Sequence, residues 1–247
     1  MKIVVIGGTG LIGRRLVTLL AEAGHEAVPA SPSSGVDTLT GAGLDAALSG
    51  ADVVVDVSNS PSFADDDVLA FFRTSTTNLL AAASRAGVGH YVALSVVGSD
   101  RAPGSGYLRA KVAQEQLIAA GPLPWTVLRA TQFFEFAPGI AASSADGDAI
   151  RLPSALIQPV AADDVAATLA LLAPDQAAKG IVELGGPERI PLDEFVRRYL
   201  SATGDARIVV TDPSAPYFGA RIDDTMLVTG PDAHVGQVRY TDWLAAR

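Results

Sequence analysis

Short apolar runs alternate along this chain with stretches whose apolar positions recur at helical spacing. Ile3-Val4-Val5-Ile6, Val53-Val54-Val55 and Tyr91-Val92-Ala93-Leu94 are unbroken, the pattern of strands covered on both faces. Between the first two, Leu16, Leu19, Leu20 and Ala23 keep a helical period that Gly24 stops. The pattern predicts strands over 3–6, 26–30, 51–57, 90–95 and 125–129. It predicts helices after Gly13 and over 44–48, 65–85 and 107–120. Such alternation argues for an α/β fold: a doubly wound parallel sheet of the Rossmann kind, with helices on both faces.

Beyond Phe136 the texture changes. Residues 140–148 are small and polar, and 150–152 and 157–160 read as short strands. Asp163 or Asp164 is expected to cap a helix over 165–172, and 181–184 to form a strand that returns to the main sheet. Pro191 suits a helix start, with Phe195, Tyr199 and Leu200 on one face, and a short helix closes the chain near Trp243. The expected organisation is a dinucleotide-binding domain over 1–136, with 137–247 mostly a small C-terminal substrate-binding lobe.

Composition narrows the function. With 49% hydrophobic residues in 247, the chain can bury a sizeable core. It has no cysteine, so disulfides and thiolate metal sites are excluded, which suits a cytoplasmic protein. Net charge is −9 and no Lys/Arg run stands out, which argues against a nucleic-acid partner. No apolar run approaches the ~20 residues of a membrane helix. Asp65-Asp66-Asp67 reads as a favourable helix start rather than a metal site, so no metal is expected.

The chemistry begins at Gly7-Gly8-Thr9-Gly10-Leu11-Ile12-Gly13, between a strand and a helix. Gly7 would turn the chain sharply, Gly10 would let backbone N–H groups approach a pyrophosphate, and Gly13 would let the helix pack on the strand. The helix N-terminus would supply donors and partial positive charge to the phosphates. Farther on, Tyr107 and Lys111 stand four apart on a helix and so share a face, while Ser95 ends the preceding strand. A nearby ammonium would lower the phenol's pKa from ~10. Tyr107 would then exchange a proton with a substrate oxygen that Ser95 holds, and Lys111 would also bond the nicotinamide ribose.

These residues in this order resemble the short-chain dehydrogenase/reductase superfamily, most closely its extended and atypical NAD(P)-binding, NmrA-like branch. The resemblance rests on the glycine motif, Asn78-Leu79-Leu80, Ala86-Gly87-Val88, Val92-Ala93-Leu94-Ser95, Tyr107 with Lys111, Leu128-Arg129-Ala130-Thr131, and Val160 through Val165. It implies a catalytic Ser95, Tyr107 and Lys111, and places Ala130, Thr131, Gln132 and Phe133 near the nicotinamide. One feature departs: the active-site Asn of many members falls here at about Phe72, and Asn78 matches a structural position.

The remaining cofactor candidates follow the sheet. Thr9, Leu11 and Ile12 accompany the glycines, and Val57, Ser58 and Asn59 end the third strand. The second strand ends in Ala30-Ser31 where NAD binders carry an acid, and Asp37 comes later, nearer the adenine. Ser31, Ser33, Ser34 and Arg14 would donate to a 2′-phosphate, so NADP is favoured over NAD. Phe133 and Phe136, with Tyr217, Phe218 and Met226, would line an apolar pocket for an aromatic carbonyl or quinone. The leading expectation is an NADPH-dependent reductase, monomeric or a homodimer. The alternatives are a non-catalytic NAD(P) redox sensor and, third, a nucleotide-sugar epimerase or dehydratase.

Overall fold

The computed structural model describes all 247 residues, 1–247. In chain order the elements are β1 (Lys2–Ile6), α1 (Leu11–Glu22), β2 (Glu26–Ala30), α2 (Leu44–Leu48), β3 (Val53–Asp56), α3 (Asp65–Ala86), β4 (His90–Val96), α4 (Gly106–Ala120) and β5 (Trp125–Ala130). Then follow α5 (Ala137–Ser143), β6 (Ala145–Asp146), β7 (Ala149–Leu152), β8 (Leu156–Ile157), α6 (Ala162–Leu172), β9 (Gly180–Gly185), β10 (Ile190–Pro191), α7 (Leu192–Thr203), β11 (Ile208–Thr211), β12 (His234–Val235) and α8 (Tyr240–Ala245).

The main sheet has seven strands in the order β12-β9-β5-β4-β3-β1-β2. β1 pairs in parallel with β2 on one side (Ile3 with Ala27) and with β3 on the other (Ile3 with Val53). The strand order therefore reverses between β1 and β3, and the carboxyl ends of these two strands flank a switch point, where open α/β sheets bind ligands. Ile3, Val4, Val5, Val53, Val54 and Val55 are fully buried, which is why their runs carry no polar interruption.

The chain forms two compact units: residues 1–95, 106–129 and 165–182 make the first, and 96–105, 130–164 and 183–247 the second. In the first, Leu44, Leu48, Leu79, Tyr91, Ile118 and Val127 join one core beside the sheet, and a smaller cluster of Val68, Phe72 and Ala110 seals α3 against α4. In the second, Phe195, Tyr240, Phe134, Ile150 and Ile157 form the core. β11, β7 and β6 pair there in a three-stranded sheet.

The second unit departs most from the expected pattern. Residues 137–143 form α5, running into the 140–148 stretch that reads as small and polar, because Ala137, Ile140 and Ala141 supply a buried face. Asp163 and Asp164 lie inside the first turn of α6 rather than before it. Asp164 Oδ2 accepts instead from Val238 N at 3.0 Å.

Candidate active site

Gly7 has φ +78°, and α1 starts just after Gly10 with no side chain capping its N-terminus. A Cβ on Gly13 would strike the Gly7 carbonyl, so α1 closes on the loop only with glycine there. A Cβ on Gly7 would lie 2.9 Å from the Val57 carbonyl, so the loop abuts the end of β3 at Val57 and Ser58. Thr9, Gly10 and Asn59 are exposed, Leu11 is half-buried and Ile12 is buried. The first N–H groups of α1 lack intrahelical acceptors and face the ligand edge of the sheet, so a pyrophosphate fits this cradle.

At the end of β2, Ser31 is buried and its Oγ lies 2.8 Å from the Ser33 Oγ. Two hydroxyls sharing one hydrogen bond leave one O–H proton to give. Ser34 differs from expectation, for its Oγ donates to Ser31 O at 2.9 Å and accepts from Ser31 N at 2.9 Å, which spends it in the turn. Asp37 accepts from Leu39 N at 2.8 Å, and that bond above all holds its pKa below the usual carboxylate range. Arg14 is exposed on α1. Asn78 donates to the carbonyls of Thr38 and Leu39 at 2.9 and 3.0 Å, tying this loop to α3.

Ser95, Tyr107 and Lys111 lie in the same unit, but their polar atoms are engaged differently from the expected triad. Ser95 Oγ donates to Glu115 Oε1 at 2.5 Å instead of standing ready for a substrate oxygen. Glu115 is clamped in turn by Arg129, with Nε to Oε1 at 2.9 Å and Nη2 to Oε2 at 2.6 Å. Lys111 donates to Leu94 O at 2.8 Å and to Gln114 Oε1, and its Nζ lies 4.2 Å from the centre of the Phe72 ring. Two of the ammonium's three N–H groups are thus engaged within the protein, and the Phe72 ring lies beside the cation.

Tyr107 is set between aromatic rings, 5.6 Å from Phe63 and 6.1 Å from Phe72. Burial pushes its pKa up to about 12, which reverses the lowering expected from Lys111. Burial also brings Lys111 down to about 8, against the opposing pull of Asp56 and Glu115. The phenol is thus neutral at physiological pH. Asp65 anchors this end of α4: its Oδ2 accepts from Arg109 Nη2 at 2.6 Å, and its carboxylate fills the space a Cβ on Gly106 would need.

In the second unit, the backbone after β5 is pinned on both sides. Thr131 N donates to Leu184 O at 3.0 Å, and Val160 N donates to Gln132 O at 2.9 Å. Gln132 is 6% exposed, and its Oε1 has no hydrogen-bond partner within the protein. Phe133 and Phe136 stack at 5.0 Å, the first buried and the second exposed. Tyr217 and Met226 pack on the core of this unit, whereas Phe218 is exposed at φ +43°.

Sequence reasoning missed the polar side chains that organise α4. Leu108, Lys111, Glu115 and Ile118 form one stripe at spacings of three and four, so the two charges stand in an apolar face. Gln114 and Asp56 are likewise buried. That interruption of the stripe was the available signal.

Residues 7–175 match the family described as NAD(P)H-binding. The chain belongs to the NAD(P)H-binding family. This NAD(P)H-binding protein is 31% identical over 214 residues to a (4-alkanoyl-5-oxo-2,5-dihydrofuran-3-yl)methyl phosphate reductase of Streptomyces griseus subsp. griseus, a match covering 78% of this chain and 70% of that one. Its fold is similar to that of a short-chain dehydrogenase/reductase superfamily protein from Agrobacterium tumefaciens with bound NAD (TM-score 0.73, 20% identity, 100% of this chain and 95% of that one). It is also similar to a dTDP-glucose 4,6-dehydratase from Streptomyces venezuelae with NAD and TYD bound (TM-score 0.76, 18% identity, 100% and 95% covered). This NAD(P)H-binding protein has the Rossmann-like fold of that superfamily and is an oxidoreductase of the reductase type, served by a nicotinamide cofactor.

Proposed function

We propose that this chain reduces a carbonyl or quinone on a hydrophobic, aromatic small molecule, with NADPH as coenzyme and Tyr107 as proton donor. The observation that carries the reading is the Tyr107 phenol, half-buried between Phe63 and Phe72 and kept protonated by a pKa of about 12. The nicotinamide, when bound, supplies the hydride to the carbonyl carbon. The carbonyl oxygen then takes the Tyr107 proton, and the phenolate left behind regains a proton from water. A neutral phenol gives its proton to a nascent alkoxide, which is the stronger base.

For the coenzyme, the proposed contacts are Gly7, Thr9, Gly10, Leu11, Ile12 and Gly13 at the pyrophosphate, and Val57, Ser58 and Asn59 beside the loop. Arg14, Ser31 and Ser33 would take a 2′-phosphate, with Asp37 toward the adenine and Ala130, Thr131, Gln132 and Phe133 toward the nicotinamide. The absence of a carboxylate at the end of β2 and the unspent proton of the Ser31–Ser33 pair support NADP over NAD. The reductase relative, whose name contains an alkanoyl and an oxo group, supports a carbonyl-bearing acceptor.

Coenzyme oxidation by purified protein with NADPH and NADH, across aromatic ketones, aldehydes and quinones, tests the reading. Turnover with NADPH that Tyr107→Phe abolishes is the expected result. Undiminished turnover in that variant would remove Tyr107 from the chemistry.

A further inference from the structure

Phe63 lies two residues ahead of α3, in the loop that leaves β3, and is 62% exposed. The loop is tied on both sides of it. Toward β3, Asp56 Oδ1 accepts from Ser58 N at 3.0 Å and from Ser58 Oγ at 2.6 Å, and Ser62 N donates to Ser60 Oγ at 3.3 Å. Toward α3, Ser62 Oγ accepts from Ala64 N at 3.3 Å and donates to Asp67 Oδ2 at 2.8 Å. The Asp65–Arg109 pair then joins the start of α3 to the first turn of α4, where Tyr107 stands.

These ties set the Phe63 ring 5.6 Å from the Tyr107 ring, with the planes 45° apart. The other ring beside Tyr107 is different in kind: Phe72 is fully buried and belongs to the seal between α3 and α4. Phe63 keeps most of its surface uncovered while one side of it meets the phenol. Burial alone raises the Tyr107 pKa, with no hydrogen bond of the protein among the causes, so the hydroxyl keeps its proton and its lone pairs for a ligand. A fixed, open aromatic face thus adjoins a phenol with an unspent hydroxyl.

We propose that Phe63 is the residue that selects the acceptor: an aromatic ring of the substrate packs on its uncovered surface while the carbonyl joined to that ring meets the Tyr107 hydroxyl. The carbonyl's place rests on the reductase function proposed above; the aromatic contact does not. The class selected is a planar aryl ketone, aldehyde or quinone. A saturated ring of the same size covers similar area but offers no π face for offset or edge-on contact.

Acetophenone and cyclohexyl methyl ketone, which differ in ring saturation alone, test this with NADPH in steady state. Phe63→Leu is expected to lower the ratio of kcat/KM for acetophenone to that for cyclohexyl methyl ketone by about fivefold, chiefly through the KM of acetophenone. Phe63→Tyr should keep the ratio within about twofold of the wild type. Any disturbance of Tyr107 cancels in the ratio, since both ketones need its proton. NADPH affinity, followed by the coenzyme's fluorescence, should stay within about twofold in both variants. An unchanged ratio in Phe63→Leu would overturn the proposal, and so would a tenfold loss of NADPH affinity there, because Phe63 would then serve the coenzyme.

Failure of both ketones to turn over would overturn the reductase reading instead, and binding would still decide the role of Phe63. Full-length protein carrying 4-fluorophenylalanine at its eight phenylalanines is titrated in the presence of NADP⁺, which has no hydride to give. The ¹⁹F line that Phe63→Tyr removes is expected to shift with acetophenone and to stay in place with cyclohexyl methyl ketone. A line that moves with neither ketone, or equally with both, would overturn the proposal.

Discussion

Tyr107 and Lys111 lie one helical turn apart, and burial drives their protons in opposite directions. Lys111 falls from 10.5 to about 8, so between those values the unfolded chain holds a proton that the folded one lacks. Stability therefore rises with pH across that window, by on the order of 3 kcal/mol in total if the full shift is realised. Tyr107 contributes the opposite slope only above pH 10, where the unfolded phenol ionises first. Denaturant titrations from pH 8 to 10 should show the midpoint climbing in the wild type, with that climb absent in Lys111→Met. In Tyr107→Phe, NADPH affinity should stay within about twofold while turnover is lost, which fluorescence titration and a steady-state assay would separate. The residue types of the site were legible in the sequence: Ser95, Tyr107 and Lys111 fall on the expected strand end and helix. Their bonding was not, because Ser95 is claimed by Glu115 of α4, and Lys111 by Gln114 and by the Leu94 carbonyl of β4, and spacing alone does not say which neighbour a polar group chooses.

At the scale of elements, α4 is held at its Tyr107 end by Asp65, whose carboxylate meets Arg109 and sits where a Gly106 side chain would go. Gly106→Ala should push Asp65 out and shift the first turn that carries Tyr107. The expected cost is about 1–3 kcal/mol of overpacking, with kcat falling further than KM changes. Thermal unfolding read beside kinetics would check it, and rescue by Asp65→Ala, which vacates the space, would tie the loss to the clash. The elements of the main sheet were legible because their strands are buried on both faces and their helices end in glycines such as Gly24 and Gly87. α5 was not, since Ile140 is the one large side chain on its buried face and Pro138 and Gly139 interrupt the run before it. β11, by contrast, is a β-branched run, Ile208-Val209-Val210-Thr211, that the pattern reading of the tail left out; it pairs with β7.

For the whole molecule, a net charge of −9 means that an anionic dinucleotide is held by local donors and not by the overall field. His90, in the first unit, shows how widely separated segments are joined: one ring nitrogen pairs with Thr126 Oγ1 at 2.9 Å and the other with Ala173 O at 3.3 Å. Burial lowers its pKa, so the unfolded chain takes up a proton there first as pH falls below 6.5, and stability drops. Urea midpoints between pH 7 and 5.5 should decline less steeply in His90→Gln than in the wild type. The first unit takes residues from 1–95, 106–129 and 165–182, so it is complete only when most of the chain exists. During synthesis β5 is an open sheet edge until β9 arrives, and His90 waits for a partner 83 residues downstream. At ~5–20 residues per second His90 waits roughly 4–17 s and β5, which ends at Ala130 while β9 starts at Gly180, roughly 2–10 s, long enough for an unpaired strand to meet a neighbouring nascent chain. The vulnerable moment of this protein belongs to its birth on the ribosome, and slower translation through that stretch would prolong it.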